Sequence, residues 1–246
     1  MNDLVKSCLY NWLGYGNLNG DIWFIGTEEG GAEIWRCKTL SLEEGLNLRK
    51  DYSLSMGFKE VWENKYDIPL ESFKGPNVWR YMAAFLLNIN SMVAKKSEIQ
   101  NFVFIDKRLG DKNSNHFLCE LLPLPKISKN NVSPYNDIWS NISEYYNEVL
   151  IKRFDLINNT LKENKNVKLI IAYEFMLVDM MLDYFDEEYE LLSEWKYKEE
   201  IYILYKINLS NDRKILLLKT PFFGNGRISY DGINNAVEHL KVEIDI

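Results

Sequence analysis

Residues 167–173 read Val-Lys-Leu-Ile-Ile-Ala-Tyr, a run that is apolar almost throughout, too short for a typical helix and without the apolar–polar alternation of a half-exposed strand. A strand of this kind is buried on both faces, so helices must cover it above and below. The same pattern recurs at residues 21–25 and 117–122. Helical spacing is found at 2–13, 43–50, 58–65, 78–89, 97–109, 134 to about 162, 175–185 and from Ser229 onward. Residues 200–208 and 214–219, apolar and separated by Asn211-Asp212, suggest a hairpin. Strands alternating with helices predict an α/β fold, a three-layer α/β/α sandwich around a mainly parallel central sheet. The 246 residues fit one domain, 1–246, with a helical insert around 40–110.

Composition removes several function classes. No run of eighteen uncharged apolar residues occurs, and no basic-then-apolar leader precedes a small-residue cleavage site, so a cytoplasmic location with no membrane partner is expected. The three cysteines, Cys8, Cys37 and Cys119, are odd in number and scattered, as reduced thiols are, and lack zinc or iron–sulfur spacing. With His116 and His239 as the only histidines, neither a metal nor a cofactor is expected. The formal charge of −7 argues against a protein that coats nucleic acid through a uniformly basic surface. A local basic cleft that meets DNA, single- or double-stranded, on one face is compatible with it.

In sheets of this type, ligands collect beyond the carboxyl ends of the strands. Four segments leave strands here: Gly26–Gly31, Glu120–Pro125, Tyr173-Glu174 and Thr220–Arg227. The first, Gly26-Thr27-Glu28-Glu29-Gly30-Gly31, lacks the lysine of a P-loop and the GxGxxG of a dinucleotide fold. Its glycines let backbone N–H groups approach a ligand, and a carboxylate held near a dry pocket orients water or opposes a developing cation. The competing reading is a glycine turn with two solvated glutamates. Glu120 stands inside an apolar run, where a charge is costly unless it pairs, binds a ligand or leaves the sheet end; otherwise it sits on an exposed edge.

The last segment offers Asn225 and Arg227 between Gly224 and Gly226, with Phe222 and Phe223 available for stacking, or else a plain turn over an apolar plug. Glu174 at a helix start is explained by the helix dipole alone. His116 reads as structural and His239 as surface. Trp35, Trp79 and Tyr81 read as core, with one of them a candidate pocket wall.

Side by side, these strand ends resemble the uracil-DNA glycosylase superfamily. In that family the first strand ends in Gly-x-(Asp/Ala/Asn)-Pro-(Gly/Tyr); Gly26-Thr27-Glu28-Glu29-Gly30 is similar, with Glu29 replacing the proline and Glu28 where the best-studied branch carries its water-activating aspartate. Phe117–Pro123 resembles the second motif, with Glu120 near the base-reading asparagine, and Val167–Tyr173 the third strand. Thr220-Pro221-Phe222 stands where the family carries His-Pro-Ser, without the histidine.

The resemblance implies hydrolysis of the N-glycosidic bond of an abnormal or modified base flipped from DNA, with Glu28 positioning water and no cofactor. A carboxylate at position 120 favours an amino-bearing base. Base and substrate contacts fall on Gly26, Thr27, Glu29, Gly30, Glu120, Phe222 and Asn225. Phosphate contacts fall on Gly31, Gly224, Gly226 and Arg227, helped by Lys126, Lys129 and Arg80. Two alternatives stay open: a non-catalytic module binding nucleotide, nucleic acid or protein on the same fold, and a hydrolase of free nucleosides or nucleotides.

Overall fold

The computed structural model describes residues 2–28, 30–50, 54–90, 93–128, 130–185, 188–210 and 213–243. In chain order these form α1 (Asn2–Asn11), β1 (Trp12–Gly16), β2 (Ile22–Glu28), α2 (Ala32–Trp35), α3 (Leu42–Lys50) and β3 (Leu54–Met56). Next come α4 (Phe58–Glu60, prolonged by a π-helical turn, Val61–Lys65), α5 (Leu70–Phe73), α6 (Asn77–Asn90) and α7 (Lys96–Gln100, prolonged by a second π-helical turn, Asn101–Ile105). The chain continues through β4 (His116–Leu122), α8 (Ile142–Glu163), β5 (Leu169–Ala172), α9 (Phe175–Phe185), β6 (Tyr189–Tyr197), β7 (Glu200–Ser210), β8 (Arg213–Lys219) and α10 (Tyr230–Glu243).

The strands make one sheet of eight, in the order β3-β1-β4-β2-β5-β8-β7-β6. The four at its centre, β4, β2, β5 and β8, are mutually parallel. On one side β1 runs antiparallel to β4 and parallel to β3; on the other, β7 and β6 continue antiparallel. Register aligns Ile25 with both Cys119 and Ala172, and Ala172 with Lys219, so the four central strands end along one edge.

The continuous apolar runs have the cause expected of them. Successive residues of each central strand enter different cores: Phe24, Leu118, Ile171 and Leu218 pack with α6 and α10, while Trp23, Phe117, Ile170 and Leu217 pack with α1, α8 and α9. The architecture is an α/β sandwich built on a mostly parallel sheet.

Several local expectations are corrected. The helix read over 2–13 ends at Asn11, and Trp12 begins β1 instead. Trp12 continued the helical spacing by position alone; its backbone instead pairs with β3 while Gly14 to Gly16 pair with β4. The long helix expected from Pro134 starts at Ile142. Asn141 sets that boundary by accepting the Glu144 N–H at 3.0 Å, and the Glu144 carboxylate takes the Ser140 N–H at 2.8 Å, a reciprocal cap. Strands β1, β3 and β6 were not anticipated, and β3 lies inside the stretch read as a helical insert. The hairpin of β7 and β8 is present, its Asn211-Asp212 turn lying outside the described residues.

Candidate functional site

The carboxyl ends of the central strands surround a cavity of about 370 Å³, lined among others by Glu28, Glu120, Tyr173 and Phe222. Glu28 ends β2, Glu120 stands near the end of β4, and Tyr173 and Phe222 follow β5 and β8, elements far apart in sequence that the parallel sheet brings to one edge. Phe58 and Trp62 from the helix after β3, Phe73 from α5, and Trp79 and Met82 from α6 form the apolar wall. The indoles of Trp62 and Trp79 are nearly perpendicular with centroids 4.7 Å apart, and Phe58 meets Trp79 edge-on at 4.9 Å. Such T-shaped pairs are the favoured geometry of buried rings and hold the wall in place.

Gly26 of β2 is not among the residues around the cavity but lies against two that are, Tyr173 and Glu120. A Cβ at this position would stand 2.1 Å from the Tyr173 hydroxyl and 2.8 Å from Glu120 Oε2, so only glycine leaves room for the phenol and the carboxylate to meet over β2. Burial, and then the charge of Glu120, push the Tyr173 phenol well above its ordinary value. The Glu120 backbone is fixed from behind by Arg153 of α8, whose fully buried guanidinium donates to the carbonyls of Glu120 at 2.7 Å, Leu121 at 2.8 Å and Trp12 at 2.8 Å, and also to that of Leu9.

Glu28 ends β2 at the cavity's edge. Its Oε1 lies 2.8 Å from Nζ of Lys126 and accepts from the Tyr146 hydroxyl at 3.4 Å. The ammonium also rests over the Tyr145 ring at 5.2 Å and donates to the Asn131 carbonyl at 3.3 Å. Burial first, then the Glu28 charge, push the Tyr146 phenol up to about 12, so it stays a donor. Glu28 is thus a carboxylate with a fixed direction, held through one oxygen. An oriented acceptor of this kind can position a water or oppose positive charge at a sugar.

The loop after β2 is shaped by its glycines. Gly31 has φ +54°, and a Cβ there would lie 2.5 Å from Pro125 Cβ, so the loop packs directly on the chain leaving β4. Gly30 is exposed, with open space where a side chain would be. Both line the cavity. Thr27 faces elsewhere, its hydroxyl donating to Glu174. Glu29 and Lys129 lie outside the described residues.

The loop after β8 divides. Phe222 lines the cavity, whereas Phe223 is fully buried and stacked between Tyr173 and Phe85, with centroids 4.7 Å and 5.7 Å away. Gly224 lies under the Phe222 ring. Asn225, Gly226 and Arg227 are exposed and are not among the residues around the cavity, and Arg227 makes a two-point pair with Glu200, at 3.0 and 2.9 Å. Two further residues read as phosphate contacts have other duties. Lys126 is the buried partner of Glu28, and Arg80 donates to the carbonyls of Gly75 and Lys74 and lies over Phe104.

Sequence reading missed Arg36, Phe58, Trp62 and Phe73. The i, i+4 spacing of Phe58 and Trp62 reveals a shared helix face, but not that this face borders a cavity. Arg36 lies exposed at the rim with its guanidinium 5.0 Å from the Phe73 ring centroid.

A larger open cavity of about 620 Å³ lies at the other end of β4, lined by Arg108, Asp111 and residues 113–116. It is mostly polar, and His116 within it accepts the Gly110 N–H at 2.9 Å. The smaller cavity is the better candidate because it stands at the carboxyl ends and joins apolar walls to a few convergent polar groups. His239, read as surface, stacks on Trp195 with centroids 4.2 Å apart. Among the described residues no cluster of three or more His, Cys, Asp or Glu could hold a metal ion, and no helix is long and apolar enough to cross a membrane. No protein-family model matches the chain, and no curated protein matches it.

Proposed function

We propose that this cavity receives a nucleobase turned out of DNA and that the protein hydrolyses its N-glycosidic bond, as a divergent relative of the uracil-DNA glycosylases. The observation that carries the reading is the convergence of Glu28, Glu120, Tyr173 and Phe222 from four neighbouring parallel strands on one base-sized, aromatic-walled cavity. Glu120 and the Tyr173 hydroxyl meet the edge of the base, a carboxylate favouring an exocyclic amino group. Glu28, held by Lys126 and Tyr146, orients the attacking water and opposes the oxocarbenium character that develops at C1′. Arg36, exposed at the rim, meets the flanking phosphate.

A second reading has its own support. The Glu28–Lys126 pair also serves to close the loop after β2, and on that reading the cavity binds a base or nucleotide without reaction. Incubating the purified protein with oligonucleotides bearing single modified bases, and in parallel with the free nucleosides, separates the possibilities by chromatography of released base. Release from oligonucleotides supports the glycosylase reading, and release only from nucleosides selects a nucleoside hydrolase. Binding without release leaves the non-catalytic module.

A further inference from the structure

The cavity is poorly equipped to protonate a departing base. Its ionisable lining groups among the described residues are Tyr15, Glu28, Arg36, Glu120 and Tyr173. Glu28 is engaged as an acceptor by Lys126 and Tyr146. Arg36 does not give up its proton in proteins, and the Tyr15 hydroxyl is paired with that of Tyr66 at 3.2 Å. The Tyr173 phenol, pushed up by burial and then by Glu120, holds its proton tightly. Thr220-Pro221-Phe222 brings no imidazole to the end of β8.

The same cavity is well suited to a positive charge. Trp62, Trp79 and Phe58 present ring systems, whose faces are electron-rich, and Glu120 lines the same cavity.

Resting on the hydrolytic reading above, we infer that the preferred substrate is a cationic base: a purine alkylated on a ring nitrogen, carried in an oligonucleotide. Such a base leaves without an acid. The bond between C1′ and the ring nitrogen breaks with both electrons going to the ring, which departs neutral. The water oxygen bonds to C1′, one water proton passes to Glu28 and on to solvent, and nothing is oxidised or reduced. The Glu120 carboxylate and the aromatic walls then serve both binding and leaving-group departure.

The test uses the full chain and oligonucleotides carrying one N7-methylguanine, one hypoxanthine or one uracil, at a mildly acidic pH where the methylated ring keeps its charge. Free base is quantified above the enzyme-free rate. N7-methylguanine is expected to be released at least about tenfold faster than either neutral base, and E120Q to remove most of that preference. Equal or faster release of a neutral base overturns the cationic inference and leaves the hydrolytic reading standing; no release of any base overturns both. Should E120Q fail to fold, tryptophan quenching of the wild-type protein by 7-methylguanosine against guanosine decides. Tighter binding of the cation supports the inference and equal binding overturns it.

Discussion

Nζ of Lys126 lies 2.8 Å from Oε1 of Glu28, with the lysine side chain 1% exposed and that of Glu28 11% exposed. Removing either partner strands the other charge away from water, which typically costs a few kcal/mol. We expect E28Q and K126M each to lower unfolding free energy by about 3 kcal/mol in urea melts, and the double variant to lose less than the sum of the two. Strict additivity would mean that the two groups do not form a coupled pair.

Gly26 tests the placement of Tyr173 and Glu120. In G26A the added methyl meets Tyr173 Oη and Glu120 Oε2, forcing both from their places at the cavity. Overpacking of this kind costs about 1–3 kcal/mol, and base release or binding should fall at least about tenfold while the protein stays folded. An unchanged affinity in folded G26A would place the binding site elsewhere.

Arg36 lies at the rim of the cavity over Phe73, where the proposed function has it meet phosphate. R36Q should weaken binding of any oligonucleotide to a similar degree, whatever its base, and lower the slope of log affinity against log salt by about one. Fluorescence anisotropy over a salt series measures both; an unaltered slope would remove Arg36 from the interface.

His116 provides a pH test of the fold. Burial lowers its imidazole from 6.5 to about 4, so between these values the folded protein binds fewer protons than the unfolded chain. Stability from this group is therefore complete above the upper value and declines as pH falls toward the lower one, by about 3 kcal/mol at the acid end. Urea melts of wild type and H116Q at neutral and acidic pH should show the wild type losing more on acidification. Equal losses would contradict a neutral buried imidazole.

The strand ends were legible in the sequence because a parallel strand buried on both faces must be apolar almost throughout, and Val167–Tyr173 and Phe117–Leu122 obey that rule except at Lys168 and Glu120. Strand β1 was not, since Trp12 satisfies helical spacing and strand burial equally well, and only the pairing of β1 with β3 and β4 decides between them. In the site, Glu28, Glu120 and Phe222 could be named because each lies at or near the carboxyl end of a strand. Arg227 was named by the same logic, yet it lies beyond the turn and is claimed by Glu200. The wall of Phe58, Trp62 and Phe73 was hidden for another reason: it comes from the segment between β2 and β4, whose placement over the sheet edge depends on tertiary packing.

The central claim is that Glu28 acts on water at the sugar rather than merely closing a loop. The direct measurement is single-turnover base release by wild type and E28Q on the oligonucleotide the wild type cleaves best, at a temperature where circular dichroism shows both folded. The account predicts release by the wild type and a rate at least about a hundredfold lower in E28Q. Equal rates in the two folded proteins, or no release by the wild type from any modified-base oligonucleotide, would contradict it.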